Sequence, residues 1–134
     1  MKKFLYCDSC FLITFYQGKC LESLSQYKDT FYISETQVKG ELIKPDDLAD
    51  VVRKTINIIS NDREEIMTKT AEFVSLYESL SFYDCLCLAY AFLDGYCLIT
   101  DDKTLQKKCL IHGIDVVNSN DIKKKFINGG NTND

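Results

Sequence analysis

Short uninterrupted apolar runs alternate along this chain with longer stretches whose apolar residues recur every three or four positions. Phe4-Leu5-Tyr6-Cys7 stops at Asp8-Ser9, Thr30-Phe31-Tyr32-Ile33 stops at Ser34, and Tyr96-Cys97-Leu98-Ile99-Thr100 stops at Asp101-Asp102. A buried strand that ends on a helix-capping residue has this pattern. Ile114-Asp115-Val116-Val117 reads as a fourth strand. Helical spacing covers residues 10–27 with a break at Gly18, 35–43 before Pro45, 102–112 closed by Gly113, and 120–127. Ser81-Phe82-Tyr83-Asp84 reads as a capping box that opens a helix with Cys85, Leu88, Ala89 and Phe92 on one face and Gly95 at its end. In the middle, Leu48, Val51, Val52, Ile56 and Ile59 form one stripe, and Ile66, Phe73, Val74 and Tyr77 form another. Asn61-Asp62 separates them, so a central αα-hairpin is expected.

Strands separated by helices and lacking polar alternation predict an α/β three-layer sandwich, with a mostly parallel sheet of four or five strands covered on both faces. Winding from strand one to two on one side, and back across strand one to the later strands, puts a topological switch between strand one and the Tyr96–Thr100 strand. Ligands of such sheets bind outside the carboxyl ends of the strands at the switch. Asp8 and the pair Asp101-Asp102 directly follow the two strands concerned. The 134 residues, 46% hydrophobic, suit one domain over residues 1–127, with 128–134 read as a disordered tail. There is no internal repeat.

Composition narrows the classes. No apolar run approaches the roughly 20 residues of a membrane span, and no secretory signal is legible, so a cytoplasmic protein is expected. Seven cysteines are an odd count, and Cys85, Cys87 and Cys97 sit in apolar stretches, which predicts reduced, buried thiols rather than a disulfide framework. A net charge of -4 argues against capture of nucleic acid by a broad basic surface. It leaves open a nucleic-acid enzyme whose acid is concentrated at a cation site.

Asp84 falls in the first turn of its helix, and Glu41 lies on the helix after strand two. With Asp8 and Asp102, these carboxylates can converge on the switch-point crevice. Grouped carboxylates repel unless protonated or neutralised, and a bound cation neutralises them. An all-oxygen set without histidine fits Mg²⁺ or Mn²⁺.

Four segments together resemble the acidic motifs of PIN-domain ribonucleases, the family that includes VapC-like toxins. They are Asp8-Ser9 after its strand, Val38-Lys39-Gly40-Glu41-Leu42, Leu80-Ser81-Phe82-Tyr83-Asp84 with Leu88-Ala89-Tyr90-Ala91, and Leu98-Ile99-Thr100-Asp101-Asp102-Lys103-Thr104-Leu105. The resemblance runs through His112-Gly113-Ile114-Asp115-Val116. It implies a metal-dependent endoribonuclease with Asp8, Glu41, Asp84 and Asp102 as its acidic residues, Asp101 being an alternative to Asp102. It also implies Mg²⁺ or Mn²⁺, an RNA substrate, an inhibitory antitoxin protein and a homodimer. Glu35 lies on the same helix as Glu41 and could compete for its place.

Plainer readings stand beside these. Singly, Asp8, Asp84 and Asp101-Asp102 are helix caps, and Glu41 is a solvated helix residue. Cys7-Asp8-Ser9-Cys10 has the spacing of a redox pair, but Pro45, the sole proline, is not at a strand start. His112 before Gly113 suits a helix C-terminus better than a general base. Tyr27, Phe31, Tyr32, Tyr77, Phe82, Tyr83 and Tyr90 are mostly core by spacing, with a few available to stack on RNA bases. Lys123-Lys124-Lys125 is a solvated face that could steer an RNA backbone. The competing function class is a noncatalytic α/β binding module, PIN-like or receiver-like, acting through a partner.

Overall fold

The computed structural model describes residues 3–7, 30–41, 48–59 and 63–128, leaving aside the side chains of residues 41, 55 and 126–128. The expectations for Asp8, for the helix at 10–27 and for the tail lie outside the described residues, as does most of the site's first motif.

The strands are β1 (Phe4–Tyr6), β2 (Phe31–Ser34), β3 (Asn57–Ile59), β4 (Cys97–Ile99) and β5 (Val116–Val117). They form one parallel sheet in the order β3-β2-β1-β4-β5. In the register, Phe4 lies opposite Phe31 and Tyr6 opposite Ile99. The helices are α1 (Glu35–Glu41), α2 (Leu48–Thr55), α3 (Glu64–Leu76), α4 (Phe82–Asp94), α5 (Lys103–Ile111) and α6 (Ser119–Ile122), the last running into a π-helical turn over Lys123–Asn128.

Because strand side chains alternate between faces, each short apolar run feeds two cores. Phe4, Tyr6, Phe31, Ile33, Cys97 and Ile99 pack with Val38, Leu48, Val52, Ile56 and Ile122, so α1, α2 and α6 cover one face. Leu5, Cys7 and Leu98 pack with Ile66, Phe73, Leu86, Leu88, Leu105 and Cys109, so α3, α4 and α5 cover the other. Two covered faces explain why the strands lack alternating polar positions. The α/β three-layer sandwich expected from the pattern is the fold.

The central αα-hairpin does not form. The apolar stripe over 48–59 is not one helix: α2 ends at Thr55, and Asn57–Ile59 becomes edge strand β3, with Ile58 opposite Ile33. A segment as short as Asn57-Ile58-Ile59 fits a helical stripe as well as a strand, and pairing with β2 decides it. The expected hairpin partner, α3, packs on α4 instead, and Arg63 bridges to Asp94 at 2.8 Å across their ends. Val74 and Phe92, read as core positions, are exposed.

Candidate functional site at the carboxyl edge of the sheet

The carboxyl ends of β1 and β4 lie side by side, with the Cys7 amide donating to the Ile99 carbonyl at 3.1 Å. To one side of β1 the chain continues to β2 and β3, to the other to β4 and β5, so the switch point falls between β1 and β4.

Ser34 at the end of β2 accepts from the Gln37 amide at 3.1 Å and starts α1. Gln37 is fully buried, and its Nε2 donates to the Cys7 carbonyl at 2.9 Å, while the Cys87 thiol donates to its Oε1 at 3.8 Å. One buried amide thus fixes the residue before Asp8 to α1 and α4. A further contact brings α1 to the start of α4: the Tyr83 ring lies over Gly40 so closely that a Cβ there would meet its hydroxyl at 1.9 Å. Glu41, one residue on, is the last residue of α1, and its side chain is outside the described residues.

Asp84 closes the expected capping box. Its amide donates to Ser81 Oγ at 3.1 Å, and its Oδ2 accepts from the Ser81 amide at 3.2 Å. The Asp84 charge also reaches the sheet edge, adding to the pKa rise of Cys7 after burial, the Cys87 hydrogen bond and the charges of Cys87 and Cys109. The expected N-cap after β4 is Asp102, whose Oδ1 accepts from the Thr104 and Leu105 amides at 2.8 and 3.2 Å. Thr100, buried beneath, takes the Asp102 amide on Oγ1 at 3.1 Å.

Asp101 has a different task. Its Oδ1 accepts the Ser119 amide at 2.8 Å and its Oδ2 the Ser119 hydroxyl at 2.7 Å, clamping the first residue of α6. With both oxygens so engaged, Asp101 is the poorer candidate ligand of the pair. Glu35 is also accounted for: it forms a two-point ion pair with Arg53, at 2.5 and 2.9 Å, which lowers its pKa. Sequence reasoning missed Gln37 and Ser119, whose partners lie 30 and 18 residues away.

Among the described residues, no three His, Cys, Asp or Glu side chains group as metal ligands. The expected set includes Asp8 and the Glu41 side chain, so this compares only part of it. By donor chemistry, the carboxylates suit a hard divalent ion, and capping leaves a carboxylate with lone pairs to spare. The redox reading of Cys7 is weakened, because burial pushes its thiol up when a redox thiol needs it lowered. Cys7, Cys85, Cys87, Cys97 and Cys109 are buried and free, as the apolar context implied.

His112 is not at this edge. It caps the C-terminus of α5, and its Nε2 lies 2.5 Å from Tyr77 Oη among Phe73, Tyr77 and Phe92.

No family model matches the chain, and no curated protein matches it. Solved structures do. PAE2754 from Pyrobaculum aerophilum superposes with a TM-score of 0.60 at 15% identity, covering 90% of this chain and 92% of that one. The likeness establishes a shared fold.

Proposed function

We propose that this chain is a metal-dependent endoribonuclease of PIN-like type, hydrolysing RNA phosphodiester bonds with Mg²⁺ or Mn²⁺. The observation that supports the reading is the strand order: Asp102 and, by sequence, Asp8 come within three residues of the ends of the two strands that flank the switch point. Asp8, Asp84 and Asp102 would hold the ion, with Glu41 as a fourth carboxylate. When bound, the ion would offset charge on the scissile phosphate and acidify a water.

The chain's own contribution is orientation. Asp84 and Asp102 are held by backbone amides at the starts of α4 and α5, so neither needs ordering when a substrate arrives. Glu41 or Asp102 would position the attacking water. Lys124 and Lys125, exposed beyond the helix that Asp101 clamps, would attract the RNA backbone. The resemblance extends the proposal to a cytoplasmic toxin that pairs as a homodimer and is inhibited by an antitoxin. No helix among the described residues is long and apolar enough to cross a membrane.

One observation favours a second reading, a noncatalytic binding module: Asp84, Asp101 and Asp102 each have a structural task without any ion. The test is cleavage of single-stranded RNA with Mg²⁺ or Mn²⁺. Cleavage by the wild type, lost in both Asp8→Asn and Asp84→Asn while circular dichroism shows an unchanged fold, supports the enzyme. Intact RNA after incubation with folded, metal-supplied wild type leaves only the binding module.

A further inference from the structure

The start of α4 carries an aromatic pair in the same turn as a candidate carboxylate. Ser81 is the N-cap, and Phe82, Tyr83 and Asp84 fill the first three helical positions. Tyr83 is wedged between α4 and α1, with no Cβ on Gly40 to push its ring away. Phe82 and Tyr83 meet edge to face, their ring centres 5.8 Å apart and their planes at 74°. Tyr83 is thus braced against the body of the protein, and it in turn holds Phe82, which is 44% exposed.

Folding does not account for Phe82. The apolar clasp that pins the first turn of a helix joins the residue before the N-cap to the fourth helical position. Those residues are Leu80 and Cys85, both buried in the core on which α4 packs, whereas Phe82 belongs to neither core. Its neighbours Ser81, Tyr83 and Asp84 are polar. The other exposed large apolar side chains among the described residues lie on α3, on α5 and in the last turn of α4. A protein partner anchors on a contiguous apolar patch. A single ring face among polar groups suits a flat ligand with apolar faces and polar edges, and a nucleobase is such a ligand.

We infer that Phe82, braced by Tyr83, is a stacking platform for an unpaired base of the RNA substrate, beside the crevice that Asp84 borders. The inference rests on the nuclease reading and narrows its substrate to single-stranded RNA, because a base inside a duplex is already stacked on its neighbours.

The chain has no tryptophan, so Phe82→Trp puts a single indole at the platform. In an Asp8→Asn background, which keeps RNA intact under the nuclease proposal, oligouridine with Mg²⁺ should quench that indole saturably. An abasic ribose-phosphate strand and an RNA duplex of the same length should not. Separately, Phe82→Leu in the otherwise wild-type chain should raise KM for oligouridine cleavage about tenfold with kcat little changed, since stacking is made equally in the ground and transition states. Circular dichroism should show an unchanged fold, the position being exposed. The platform is overturned by a Phe82→Leu KM equal to that of the wild type, by an indole that bound oligouridine leaves unquenched, or by equal quenching from the abasic strand or the duplex. In each of these cases cleavage by the wild type still upholds the nuclease reading. RNA neither bound nor cut by the folded wild type overturns both.

Discussion

Asp101 and Asp102 are neighbours in sequence with separable tasks. Asp102→Ala removes an N-cap from α5 and should cost about 1 kcal/mol in urea denaturation. Asp101→Ala releases both bonds to Ser119 and should cost about 1–2 kcal/mol, with faster amide exchange confined to α6 and the following turn. If the nuclease reading holds, cleavage should survive Asp101→Ala far better than Asp102→Asn. The thiols give a second prediction at this scale. Burial pushes Cys85 up to about 11 and Cys109 up to about 12, and raises Cys7 and Tyr6 as well. Below the ordinary thiol range, near 8.5, these groups are neutral in both folded and unfolded chains, so their burial carries no ionisation cost. As pH rises above it, the unfolded chain ionises first and stability falls until the folded thiols titrate too. Thermal unfolding should therefore show a midpoint that declines from about pH 8.5 upward. Cys109→Ala should decline less steeply.

Among the elements, α1 depends on Gln37. Gln37→Leu keeps the volume but strands the Cys7 carbonyl, at a cost of about 1–3 kcal/mol. Cys7 directly precedes Asp8 in the sequence, so under the nuclease proposal a destabilised but folded variant should also lose RNA cleavage. This scale also shows what the sequence could reveal. Ser34, Ser81, Gly95, Asp102 and Gly113 were legible as stops and caps because such signals are local, acting within three or four residues. Strand β3 was not, because Asn57–Ile59 becomes a strand only through β2. The Gln37, Ser119 and Tyr77–His112 contacts were likewise invisible, since side chains 18 to 35 residues apart meet only after the layers assemble. In the candidate site, the identity and capping of Asp84 and Asp102 could be read in advance, and the diversion of Asp101 could not.

For the molecule as a whole, the sheet order sets where opening begins. β1 is paired on both sides and contributes to both cores, whereas among the described residues β3 pairs with β2 and β5 with β4 at the two ends of the sheet, and both are half-buried. Native-state hydrogen exchange should be slowest at Leu5 and Leu98 and faster at Ile59 and Val117, a gradient from centre to edges. Equal protection at all four would indicate opening as a single unit. Those same edges govern self-association. Open strands recruit other chains when they are long and apolar enough to template a partner's backbone, and here the outermost strands offer three and two residues. Among the described residues, growth into an extended sheet therefore finds little foothold at either end of this one, and the broader surfaces on offer to a partner are the helical layers.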